Sequence, residues 1–228
     1  MHPLDNVIWQ ALTTRQTMFA EGTDLARLFT REVTLLGALS EPTPEAYANF
    51  AHLVGAGGTG ALFLDVPYEP HEGWEYVVGA PLLQMIFENG INLSRRADSA
   101  VEIAELGLPD SPEMIELTSL TKPGPFGPRT HELGTYLGIR SGGKLVAMAG
   151  ERLKVPGHTE VSAVCTHPEH TGKGYARILM TEIMGRILDR GETPFLHSRG
   201  DNTRAIDLYK RLGFRARKSG HFAVLRKL

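Results

Sequence analysis

The chain has 228 residues, 42% of them apolar and 22% charged, with a formal net charge of −2. That length allows one large domain or two modest lobes with real cores, and the charge gives no global attraction to nucleic acid or to an anionic membrane. The single cysteine, Cys165, excludes an internal disulfide and a multi-cysteine metal site.

The start, Met1 to Asn6, has neither the basic nor the apolar run of a signal peptide. No apolar stretch approaches the roughly 20 residues of a spanning helix. A reduced, cytoplasmic setting is expected. Asn92-Leu93-Ser94 matches a glycosylation acceptor by pattern alone.

In chain order, Asp5 to Thr13 reads as a short helix with Asp5 at its N-cap. Leu25 to Leu39 reads as two short strands or one bent strand. Pro44 to Val54 is helical, with Pro44 in the first turn and Tyr47, Phe50 and Leu53 at helical spacing. The glycine run Gly55 to Gly60 leads into a short strand at Leu62-Phe63-Leu64, not into an amphipathic helix. Trp74 to Val78 and Leu82 to Phe87 read as two strands joined around Gly79-Ala80-Pro81. Val101 to Leu106 alternates like an exposed strand. A helix then runs from Asp110 or Ser111 to about Leu120, with Pro112 in its first turn and Glu113 available for a capping box. Lys122 to Pro128 is a stiff connector, either a loop over a cleft or an ordinary crossover.

The second half is patterned more sharply. Leu133 to Arg140 and Lys144 to Leu153 form a hairpin about Ser141-Gly142-Gly143. Glu160 to Thr166 is a strand, and Gly172 opens a helix to about Arg190 whose Leu179, Ile183 and Ile187 recur every four residues. Pro194 to His197 is a strand, Asn202 to Leu212 a helix ended by Gly213, and Phe222 to Leu225 a closing strand.

Two segments carry chemistry. In Thr171-Gly172-Lys173-Gly174-Tyr175-Ala176-Arg177, a strand ends and glycines lead into a helix. The first amides of a helix lack intrahelical partners and sit at the positive end of its dipole, so such a turn suits an anion. Lys173 and Arg177 add positive charge. An ordinary strand-to-helix turn has the same appearance; a Walker loop or a dinucleotide fingerprint does not. In the second segment, Asn202 to Phe214, Asn202 is an N-cap and Gly213 a C-cap. Ala205, Leu208 and Leu212 are expected on the core face, with Tyr209 on the neighbouring face, where it is either a packing residue or a hydroxyl aimed into a cleft.

Together these segments resemble the GNAT N-acetyltransferase superfamily. Its cofactor motif, Gln/Arg-x-x-Gly-x-Gly/Ala, is similar to Thr171 to Ala176, with Thr171 standing where Gln or Arg is usual. Its Asn-x-x-Ala-x-x-Leu-Tyr-x-x-x-Gly-Phe segment matches from Asn202 to Phe214. The hairpin and the strand Glu160 to Val164 look like the FR47-like branch, similar to the C-terminal part of glycine N-acyltransferases. The resemblance covers about Leu117 to Leu228.

It implies an α/β (α+β) acyl-CoA N-acyltransferase fold, a mixed central sheet flanked by helices. Residues 1–110 would be a degenerate GNAT-like lobe and residues 111–228 the catalytic domain. It implies acetyl-CoA as co-substrate, no metal, and a primary amine of a small molecule or amino acid as acceptor, with a homodimer left open. The main chain of Val164, Cys165 and Thr166 would meet the pantetheine arm. Thr171, Gly172, Lys173, Gly174, Tyr175 and Ala176 would hold the pyrophosphate, and Asn202 and Ala205 would flank the cofactor. Tyr209 would protonate the departing thiolate. Glu160, with Glu151 as the other candidate, would be the base. A protein N-acetyltransferase and a non-catalytic acyl-CoA sensor remain alternatives. Cys165, in an apolar strand without an adjacent base, reads as an inert small hydrophobe.

Overall fold

The computed structural model describes residues 2–88 and 101–228. The Asn92 acceptor pattern and Met1 lie outside the described residues. In the first half, helix α1 (Val7–Thr13) precedes a small antiparallel sheet of β1 (Ala20–Gly22), β2 (Ala26–Phe29) and β3 (Gly37–Leu39), and helix α2 (Pro44–Val54) follows. Next come β4 (Thr59–Leu64), β5 (Trp74–Phe87), β6 (Ala104–Leu106) and helix α3 (Ser111–Thr121). The second half holds β7 (Tyr136–Ser141), β8 (Lys144–Val155), β9 (His158–Thr166), helix α4 (Tyr175–Asp189), β10 (Thr193–Arg199), helix α5 (Thr203–Arg211) and β11 (Phe214–Lys227). Among the described residues no helix is long and apolar enough to cross a membrane.

The main sheet has eight strands in the order β4-β11-β5-β10-β9-β8-β7-β6. The two halves interleave: β5 pairs antiparallel with both β10 and β11, and β4 covers the far side of β11. The fold is the mixed α/β sheet with flanking helices that the resemblance implied. Helices α4 and α5 cover one face, where Leu179, Met180, Ile183, Met184 and Ile187 pack on Ala147, Val161 and Leu196. On the other face α1 packs around Phe29, Leu153 and Phe195, and α3 packs over Tyr136, Met148 and Ala163.

Several local expectations need correction. Helix α1 begins at Val7 with Asn6 at its cap position and no side-chain cap bond. Asp5 is drawn off by Arg217, 2.5 Å away, and by the His2 amide. The capping box at Glu113 does not form, because Glu113 accepts from the Leu145 amide and pairs with Arg140. The segment about Gly79-Ala80-Pro81 does not divide two strands; it lies inside β5, where Ala80 and Pro81 stay in register with Phe222 and His221. The closing strand is far longer than Phe222 to Leu225, because β11 has a neighbour on both sides despite its polar sequence. On α5 the buried side chains are Ile206 and Tyr209, with Ala205 and Leu208 only partly covered. Tyr209 is therefore on the core face itself.

Candidate active site

Strands β9 and β10 are parallel and pair only at Thr193–His158, Pro194–Thr159 and Phe195–Glu160. Beyond that point β9 runs on to Thr166 and β10 to Arg199 without pairing to each other, so a gap opens in the middle of the sheet. Helix α4 starts just after β9 ends, which places its N-terminus at the open end of the gap. A crevice beyond the carboxyl ends of parallel strands is where an α/β sheet exposes backbone to a ligand.

The β9 backbone is irregular there. Gly150 of β8 faces Ser162 and Met148 faces Cys165, so β9 has an extra residue in this interval, and Ala163 takes the positive φ of +53°. Such a bulge leaves a residue out of the ladder and re-aims its neighbours. Val164 and Thr166 are half-buried and Cys165 is buried. Burial pushes the Cys165 thiol up to about 11, which keeps it protonated and a poor nucleophile.

At the start of α4, Gly172 and Gly174 have φ of +81° and +78°, and the positions a Cβ would take are open. Gly174 is the cap residue and makes no side-chain bond, so the first amides of the helix face outward. Residues Thr171 to Gly174 are exposed, and Arg177 is exposed beside them. Thr171 Oγ1 donates to the Pro168 carbonyl at 3.0 Å, so its hydroxyl proton serves the turn. Lys173 Nζ lies 3.3 Å from His170 Nδ1. This open, donor-rich turn fits a diphosphate. Asn202 caps α5, its Oδ1 accepting from the Ala205 amide at 3.2 Å. Tyr209 is buried against Phe214, close enough to the Cys165 thiol to feel it. Burial, with a smaller contribution from Cys165, pushes its hydroxyl up to about 12.

The two candidate carboxylates have different surroundings. Glu151 belongs to the α4 face, bound by Arg190 at 2.7 Å and Lys154 at 2.9 Å, and is structural in its contacts. Glu160 is on the opposite face and fully buried. Arg152 grips it through Nε and Nη2, each at 2.8 Å, and the Leu153 amide donates to it at 3.3 Å. His197 Nδ1 is 2.7 Å from its other oxygen. Burial alone would raise its pKa; Arg152, and then His197, outweigh that and hold it at about 2. A carboxylate with its lone pairs committed in this way is a weak base.

Sequence reasoning missed His197, because nothing in Pro194 to His197 distinguishes it from a strand histidine. Its tautomer follows from its neighbours. Gln84 Oε1 accepts from Arg217 at 2.7 Å, so Gln84 Nε2 must be the donor to the Leu4 carbonyl at 3.0 Å and to His197 Nε2 at 3.1 Å. His197 Nε2 is then an acceptor, and its proton is on Nδ1, donated to Glu160. Phe63 and Phe195 pack on its ring, at centroid distances of 4.7 and 5.8 Å. His197 also lines a cavity of about 500 Å³.

One polar atom near the site has no partner. The Tyr136 ring lies over Gly150, where any Cβ would meet it at 2.3 Å, and its hydroxyl is buried with no hydrogen bond among the described residues. It lines a crevice with Arg152, Ser162 and Ala163 under the connector Pro123 to Phe126. The connector is thus a cover over the bulged part of β9.

Comparison with known proteins identifies the family. Residues 136–223 match the family model for FR47-like proteins. A crystal structure of a GNAT-family protein from Novosphingobium aromaticivorans is 36% identical, covers all of both chains and superposes with a TM-score of 0.90. The chain belongs to the GNAT acetyltransferase family. It is also similar to the N-alpha-acetyltransferase RimI of Mycobacterium tuberculosis, 39% identical over 82 residues, or 35% of this chain and 51% of RimI. The chain thus spans about half the length of that curated relative. A GCN5-related N-acetyltransferase from Kribbella flavida shares the fold at 16% identity and a TM-score of 0.60, over 98% of this chain and 96% of that one.

Proposed function

We propose that the protein transfers an acetyl group from acetyl-CoA to a primary amine of a small molecule, by direct attack in a ternary complex. The observation that carries this reading is the gap between β9 and β10, which has a helix N-terminus at its open end and His197 of a separate cavity on its far wall. Acetyl-CoA supplies the acyl group as an activated thioester. The unpaired edge of β9 from Val164 to Thr166 offers main-chain donors and acceptors to an extended arm, as a new strand would. Amides from Gly172 to Ala176, with Lys173, hold the pyrophosphate.

His197 takes the proton of the incoming amine at Nε2, where the amine replaces Gln84 as the donor. Glu160 acts through His197: it fixes the Nδ1–H tautomer and steadies the imidazolium that forms. Tyr209, protonated throughout the neutral range, gives its proton to the sulfur as the C–S bond breaks. It is reprotonated from solvent while the His197 imidazolium releases the amine's proton, so the products are the amide and CoA thiol. In this scheme residues 1–110, as a degenerate GNAT-like lobe, shape the acceptor cavity: Leu4 to Ile8 and Gly37 to Pro42 line it. The likeness to RimI favours a second reading, in which the amine is a protein N-terminus.

Thiol release from acetyl-CoA, measured with a panel of small amines and a short peptide, tests the proposal and separates the two readings. Binding without release by any amine would favour the sensor. Gly174→Asp should weaken CoA binding at least about tenfold by placing a carboxylate at the helix N-terminus. Gly174→Ala isolates the strain of a side chain at φ +78°. Unchanged CoA affinity by calorimetry in a folded Gly174→Asp protein would move the pyrophosphate elsewhere. Tyr209→Phe should lower kcat by roughly 10²-fold with little change in CoA affinity or Tm. An unchanged kcat would leave Tyr209 as a packing residue only.

A further inference from the structure

Resting on the acetyl-transfer reading, we propose that the cavity in front of His197 is the acceptor site and that it takes an organic cation with an apolar or aromatic body and no acid group of its own. The cavity is about 500 Å³, within the range of small-molecule sites. Its apolar surface comes from Leu39, Leu62 and Phe63. Its outer wall is aromatic: the Tyr47 ring stands 4.1 Å from that of His71 and 6.4 Å from that of Tyr68. Ring faces of this kind attract an ammonium group as well as apolar carbon.

The charges around it are one-sided. Among the described residues, Asp5, Glu41, Asp65 and Glu69 line the cavity, against Lys218 as the only lysine or arginine in its lining. Lys218 is already held by Asp65 at 2.6 Å. Arg217, behind Gln84, is held by Asp5 and by the Gln84 carbonyl oxygen. Neither cation is left for a substrate carboxylate, while Glu41 and Glu69 stand exposed at the mouth. An amine therefore enters an attractive field. A free amino acid brings a carboxylate of its own into a site that, among the described residues, offers it repulsion and no partner. At the inner end, His197 Nε2 is an acceptor, satisfied here by Gln84 Nε2 at 3.1 Å, and it offers no donor to an acid.

The experiment starts by confirming acetyl-CoA binding to the wild type by calorimetry. It then compares kcat/KM for phenethylamine and phenylalanine, which share a body and an amine and differ in the carboxylate. Phenethylamine should be favoured by roughly 100-fold or more. Glu69→Lys should lower kcat/KM for phenethylamine about tenfold, through KM rather than kcat. Equal or better use of phenylalanine would overturn the assignment. So would a KM that ignores Glu69→Lys, or a CoA-loaded protein that binds neither compound. A wild type that fails to bind acetyl-CoA would instead remove the acetyl-transfer reading, and this inference with it.

Discussion

Glu160→Gln is expected to destabilise the protein by about 3–5 kcal/mol, because it removes one half of a buried ion pair and leaves the other charged. The carboxylate accepts from Arg152 Nε, Arg152 Nη2, the Leu153 amide and His197 Nδ1 together. An amide has one acceptor oxygen, and its NH₂ group would face donors. In a chain of this size that corresponds to a fall in Tm of about 10 °C. The same pair makes stability depend on acid. The Glu160 pKa is lowered from 4.5 to about 2 in the folded protein. Its contribution is therefore fully present above about pH 4.5 and is lost as pH falls from there through about 2. The shift corresponds to about 3 kcal/mol. Denaturant unfolding at pH 7 and pH 3 should show more than half of this loss in the wild type and a smaller one in Glu160→Gln. Replacing both partners with Arg152→Met and Glu160→Leu should recover part of the stability at pH 7: an apolar pair of similar volume needs no charge compensation, while the Leu153 amide and His197 Nδ1–H lose their acceptor. A loss below about 1 kcal/mol in Glu160→Gln would mean that Arg152 is solvated and the pair is not buried as described.

The parts legible in the sequence are those fixed by short-range pattern. The four-residue repeat of Leu179, Ile183 and Ile187 gave α4 its buried face, and Asn202 with Gly213 bounded α5 through local capping bonds. The Gly172 turn was readable because two left-handed positions one residue apart, Gly172 and Gly174, suit glycine at little cost. What depends on distant partners was not legible. The polar run Phe214 to Lys227 becomes a central strand only because β4 and β5 of the first half enclose it. Tyr209 was displaced from its expected face by the tertiary packing of Ile206 and Phe214. Glu160 could be placed at the head of its strand, but Arg152 and His197, the neighbours that set its chemistry, are 8 and 37 positions away. His197 itself has no local signature: its role rests on Gln84, whose orientation rests in turn on Arg217.

His197→Ala is expected to lower kcat by roughly 10²–10³-fold, within the range for loss of a positioned proton acceptor. The KM for acetyl-CoA should change little, because His197 faces the acceptor cavity and not the α4 turn. The rival account makes the Glu160–His197–Gln84 chain a structural strut between β9, β10 and β5. Under that account the substitution should lower Tm and leave kcat nearly intact in the protein that remains folded. The substitution also opens imidazole-sized space beside the cavity, with the Phe63 ring as one wall. Added imidazole can occupy it, donate through one nitrogen to Glu160 and present the other to the amine. A partial return of kcat with millimolar imidazole, saturating with concentration and absent in the wild type, is the result that a strut cannot give. Methylation at one nitrogen should abolish the rescue, since N-methylimidazole cannot both donate to Glu160 and accept from the amine. If kcat survives His197→Ala, or falls without responding to imidazole while CoA still binds, the amine loses its proton to solvent or to another group. Glu160 would then have a purely structural part in this site.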